Sequence, residues 1–127
     1  MPITKTTQKV DINKRRIING EDADVIQLYP MKHTFAWEAY NSANANHWLP
    51  TEISMQQDIE QWKSNSVLSE EERKAFKTVM GFFTTADSLA ANNVALAFYK
   101  NVSSPEVRMY LLRQAYEEAI HTHAYQY

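Results

Sequence analysis

The chain has 127 residues, 44% hydrophobic and 22% charged, with only 2 Gly and 4 Pro; this fits one ordinary globular domain of roughly 100–200 residues and excludes a collagen-like or low-complexity chain. Thirteen Lys and Arg against fifteen Asp and Glu leave a net charge of −2, without the basic surplus that binding a phosphate backbone requires, so nucleic acid is not an expected partner. Cysteine is absent, which rules out disulfides, thiolate metal sites, a thiol nucleophile and thiyl-radical chemistry on this chain.

Met1 to Asn13 is polar and holds no apolar run long enough for a signal-peptide core or a membrane span. A cytoplasmic chain with no membrane partner is therefore expected. Residues 1–29 form an amino-terminal arm in this reading. Its charge run Lys14-Arg15-Arg16 precedes a short apolar anchor, Ile17-Ile18, and the turn-like Asn19-Gly20-Glu21-Asp22. Such a run is either a solvated face or a segment that docks a partner.

From Pro30 the pattern turns helical, with Pro30 in a first-turn position and Phe35, Trp37, Ala39 and Tyr40 in the turns that follow. Trp48-Leu49-Pro50 ends that stretch, because a residue ahead of proline avoids the helical region. Ser54 with Gln57 has the spacing of a capping box and opens a short helix through Trp62 and Lys63. Ser69-Glu70-Glu71-Glu72 is a second capping box, with acids at the positive end of the helix dipole. No proline interrupts the run from there to Lys100, Asn101 to Ser104 is a turn, and Ser104-Pro105-Glu106 opens a last helix to the chain end. The expected fold is an all-α bundle over residues 30–127, with no strand.

Polar groups fall where the core stripes should be apolar. On the long helix Phe76, Met80, Phe83, Asp87, Ala90, Val94 and Phe98 share one face, and on the last helix Val107, Leu111, Gln114, Glu118, His121 and Tyr125 do the same. A buried ionised carboxylate must be paired, neutralised or bound to a cation. Glu118 and His121, at i and i+3, can address one point between helices, and Glu-x-x-His is half of the ligand set of carboxylate-bridged dimetal bundles. Oxygen and imidazole donors suit iron or manganese. The same residues also have plainer readings: Asp87 as a satisfied buried acid, His121 as a hydrogen-bonded core histidine, Tyr125 as a core tyrosine, Trp48 as an anchor at a helix end. His123, two residues on, points to another face, as do Tyr110, Tyr116 and Tyr127.

Three segments together resemble a known family. Asn46-His47-Trp48-Leu49-Pro50-Thr51-Glu52, Gly81-Phe82-Phe83-Thr84-Thr85-Ala86-Asp87-Ser88-Leu89 and Glu117-Glu118-Ala119-Ile120-His121-Thr122-His123-Ala124-Tyr125 are similar to motifs of the small (beta, radical-generating) subunit of class I ribonucleotide reductase. The likeness runs from about residue 25 onward. It implies a ferritin-like helical bundle, a diiron centre activated by dioxygen, a small-subunit homodimer, and a large (alpha) catalytic partner that binds ribonucleoside diphosphates. By motif, Asp87, Glu118 and His121 would be metal ligands, Tyr125 the tyrosyl-radical position and Trp48 the electron-transfer tryptophan near the cofactor. Some members carry Phe where Tyr125 stands and use a manganese–iron centre, so Tyr125 favours the diiron, radical-bearing type.

The family's small subunits are much longer and take a second Glu and a second Glu-x-x-His from later helices. This sequence stops at Tyr127 without a Gly, Pro or cationic helix-stop signal. The expectation is an incomplete, amino-terminal bundle half that holds half of a dimetal site and is inactive alone, with the other half supplied by a missing carboxy-terminal part. Two alternatives use the same residues. Two copies, each with Asp87, Glu118 and His121, would make a homodimeric dimetal-carboxylate oxidase or iron-storage bundle, and a non-catalytic interaction module would use Glu118 and His121 as an ordinary polar network.

Overall fold

The computed structural model describes residues 11–20 and 27–127; the leader Met1–Val10 and the turn-like Glu21-Asp22 lie outside them. The described residues form four helices: α1 (Thr34–Ala45), α2 (Gln56–Lys63), α3 (Glu70–Asn93) and α4 (Pro105–Ala124). Short 3-10 turns occupy Ile12–Lys14, Pro50–Glu52 and Tyr99–Asn101. No strand occurs among the described residues; one antiparallel bridge pairs Ile18 with Val102. Helix α4 packs against both α3 and α1 and is the central element.

The start of α3 follows its sequence. Ser69 Oγ accepts from Glu72 N–H at 3.2 Å, and Glu72 Oε2 accepts from Ser69 N–H at 2.8 Å, so two donors at the helix end are satisfied reciprocally. The backbone and hydroxyl of Ser69 hold the Glu72 carboxyl below its ordinary value. Replacing Ser69 by alanine is expected to cost about 1 kcal/mol of stability, measured by urea denaturation.

Three local expectations are corrected. Pro30 is not in a helical first turn; α1 starts at Thr34, with His33 at its cap. The reason is tertiary: Glu106 Oε1 accepts from the N–H groups of Lys32 (3.0 Å) and His33 (2.7 Å), which fixes the backbone ahead of α1 outside the helix. The Ser54–Gln57 capping box does not form; α2 begins at Gln56 behind Met55, with no side-chain cap. The helical run beyond α3 does reach Asn101, but Val94–Phe98 forms a wider π-helical turn. An extra residue per turn rotates the following positions off the stripe; both ends of that stripe, Phe76 and Phe98, are exposed.

The described part of the arm is docked. Arg15, 1% exposed, donates to the carbonyls of Gln27 (2.6 Å), Leu28 (3.3 Å) and Pro30, while Lys14 and Arg16 stay exposed. Ser103, in the turn before α4, donates its N–H to Ile17 O (2.8 Å) and its hydroxyl to Arg16 O (2.9 Å), and accepts from Gly20 N–H (2.7 Å). Within the charge run, therefore, Arg15 is a buried clamp and its two neighbours are solvated.

Candidate metal centre

Helix α4 reaches the turn before it through a clamp of buried polar groups and then presents its Glu-x-x-His turn to α3. Asp87 lies in α3, and Glu118 and His121 lie in α4. One ligand atom from each of the three falls within 4.8 Å of the other two, a spacing that one cation can bridge. His121 Nδ1 is 3.2 Å from Glu118 Oε2 and 3.6 Å from Asp87 Oδ2. All three side chains are half-buried, deep enough for two carboxylates to need a positive partner and open enough for an ion to enter.

The remaining residues singled out in the sequence surround this triad. The Trp48 ring lies 6.2 Å from the His121 ring, centroid to centroid. Tyr125, one turn beyond His121, is the residue that closes α4. Its ring stacks on Phe83 of α3 at 5.6 Å. Partial burial, then the nearby carboxylates of Asp87 and Glu118 push the Tyr125 phenol above its ordinary value of 10.0. The phenol therefore keeps its proton at neutral pH. Asp87→Asn is expected to lower the Tyr125 value toward 10.0, read as an earlier rise of the phenolate absorption band in a wild-type-minus-variant titration; identical curves would contradict it. Tyr116 and Tyr127 are exposed and off the site, and His123 is exposed with its ring edge on Tyr127.

Sequence reading missed Arg113, Glu117 and Glu106. The i,i+4 spacing of Arg113 and Glu117 was a visible signal, and the two are ion-paired. Glu106 read as the acid of the Ser104-Pro105-Glu106 helix start; its burial and its grip on a segment 73 residues earlier have no local signature.

Comparison with known proteins gives the family and the fold. Residues 25–127 match the sequence profile described as "Ribonucleotide reductase, small chain". The chain belongs to the ribonucleotide reductase small-chain family. It is 50% identical over 120 residues to the ribonucleoside-diphosphate reductase subunit beta of Chlamydia pneumoniae, covering 94% of this chain and 34% of that protein. Against the subunit beta of Aquifex aeolicus (strain VF5) it is 30% identical over 118 residues, covering 92% of this chain and 16% of that protein. The ribonucleotide reductase R2 subunit from Clostridium botulinum superposes with a TM-score of 0.80 at 29% identity, over 89% of this chain and 34% of that structure. The fold is thus the ferritin-like helical fold of ribonucleotide reductase small chains, and this chain spans about a third of the length of its Chlamydia pneumoniae relative. No described helix is long and apolar enough to cross a membrane.

Proposed function

We propose that this chain is the radical-generating portion of a ribonucleoside-diphosphate reductase small subunit, with Asp87, Glu118 and His121 holding one metal of a dimetal centre and Tyr125 as its radical site. The observation that carries the reading is the convergence of those three donors across α3 and α4, with the Tyr125 ring stacked on Phe83 one turn beyond His121. Two carboxylates and an imidazole are hard and borderline donors that fit iron, and also manganese. Iron bound there would supply, with dioxygen, the one-electron oxidant for the phenol. The chain's own residues do the rest. The Asp87 carboxylate takes the phenol proton as the electron leaves, Phe83 covers the Tyr125 ring against water, and Trp48, lying on His121, carries the oxidising equivalent outward. The thiols that reduce ribonucleoside diphosphates to deoxyribonucleotides then belong to the large (alpha) subunit, in keeping with the absence of cysteine here.

The second half of the dimetal ligand set is supplied from outside residues 1–127, by a carboxy-terminal part or by a second small subunit. The exposed Phe82 and Leu89 of α3, with Leu96 in the π-helical turn after it, support further helices packing there. In this organisation residues 1–29 count as the arm and residues 30–127 as the partial bundle; of the arm, Arg16, Ile17 and Gly20 are tied to Ser103. The test is to refold the chain with the part of the Chlamydia pneumoniae subunit beta outside the matched region, add ferrous iron and oxygen, and record the electron paramagnetic resonance spectrum. A sharp tyrosyl signal that Tyr125→Phe removes is expected; a refolded assembly that takes up no metal contradicts the reading.

A further inference from the structure

Helix α1 ends without a basic residue in its own last turn, so its carbonyl end carries an uncompensated partial negative charge. Arg113 of α4 fills that role from across the bundle. Its side chain is almost fully buried, at 8% exposed for the residue as a whole. Its Nη2 donates to Ala43 O at 2.8 Å, its Nε donates to Asn44 Oδ1 at 3.0 Å, and its Nη1 donates to Glu117 Oε2. The guanidinium carbon also stands 5.3 Å from the centre of the Tyr116 ring, and the other neighbour of that ring is His47, at 5.7 Å.

These contacts have a direction. The planar fork fixes the last turn of α1 and the orientation of α4 at once, five residues before Glu118. His47, held on Tyr116, immediately precedes Trp48, whose ring lies on His121. Lysine could place a charge at the end of α1 but could not span two acceptors on α1 and a carboxylate on α4 together.

We propose that Arg113 is a positioning residue for the site: by capping α1 from α4 it sets Trp48 against His121 and fixes the rotation of α4 that aims Glu118 and His121 at Asp87. The consequence for metal binding rests on the functional reading above; the consequence for the Trp48–His121 contact does not.

The experiment uses the full 127-residue chain as wild type, Arg113→Lys, and Asn44→Ala, which removes one exposed acceptor and spares the fold. In the metal-free protein, the nuclear Overhauser contact between the Trp48 indole and the His121 imidazole is expected in wild type, weakened in Asn44→Ala and lost in Arg113→Lys. With cobalt(II) as the probe, affinity is expected to fall about 10-fold or more in Arg113→Lys, the scale on which outer partners of metal ligands act, and less in Asn44→Ala. A purely structural clamp would lower the melting temperature while leaving the ring contact and the cobalt spectrum of the folded fraction unchanged, and that result overturns the proposal. If Arg113→Lys does not fold, an unchanged ring contact in Asn44→Ala overturns it equally. Should wild type bind no cobalt while the ring contact responds as expected, the metal reading falls and the positioning role stands.

Discussion

Glu106→Ala is expected to destabilise the fold by about 2–3 kcal/mol, because two backbone donors lose a charged acceptor at a cost of about 1–3 kcal/mol for each buried one. Glu106 is fully buried, and its Oε1 is the tie between the start of α4 and the Lys32–His33 segment that leads into α1. Burial alone would raise its carboxyl. The N–H groups of His33 and Lys32, both donated to Oε1, act against burial, and the carboxyl is held below the ordinary 4.5. A depressed carboxyl contributes stability that is fully present above 4.5 and is lost as the pH falls through its lowered folded value. Glu106→Gln keeps the acceptor but not the charge, so it should be less stable than wild type at neutral pH, and that gap should close on acidification. Urea denaturation of both proteins at neutral and acidic pH measures it; a gap independent of pH contradicts the assignment.

His121→Ala is expected to lower metal affinity beyond the about 10–100-fold that outer partners of ligands typically cost, and Glu118→Ala should do the same. His123→Ala, at an exposed position two residues away, should leave affinity unchanged. Titration with cobalt(II), followed by its visible absorption, separates the three. Equal affinity in wild type and His121→Ala would show that the imidazole only hydrogen-bonds Glu118, at 3.2 Å, and lies 3.6 Å from Asp87 without ligating.

How far the sequence was legible depends on the range of the force involved. The Ser69–Glu72 capping box and the Ser104-Pro105 helix start were readable because they are settled within one turn of backbone. The convergence of Asp87 with Glu118 and His121 was readable because two regular helices joined by a short turn carry a period-3.6 stripe faithfully up to Asn93. The π turn at Val94–Phe98 was not readable, because no residue there signals it. Pro30 and Ser54 failed for a different reason: each had sound local chemistry for a helix start, but Glu106 claims the backbone ahead of α1, and α2 starts one residue beyond Met55 without using a hydroxyl. Arg15 and Arg113 share that lesson. Both belong to charge patterns that normally face solvent, and both are buried because the carbonyls they serve come from segments 12 to 15 residues away for Arg15 and 70 residues away for Arg113.

The most direct measurement is X-ray absorption at the metal edge of the chain refolded with the complementary part of the Chlamydia pneumoniae subunit beta and loaded with ferrous iron, recorded for wild type and for His121→Ala. The account predicts a shell of oxygen and nitrogen donors with the outer-shell scattering of imidazole, and a loss of part of that scattering in the variant. An identical spectrum from the two proteins, or no bound iron in wild type, would contradict it.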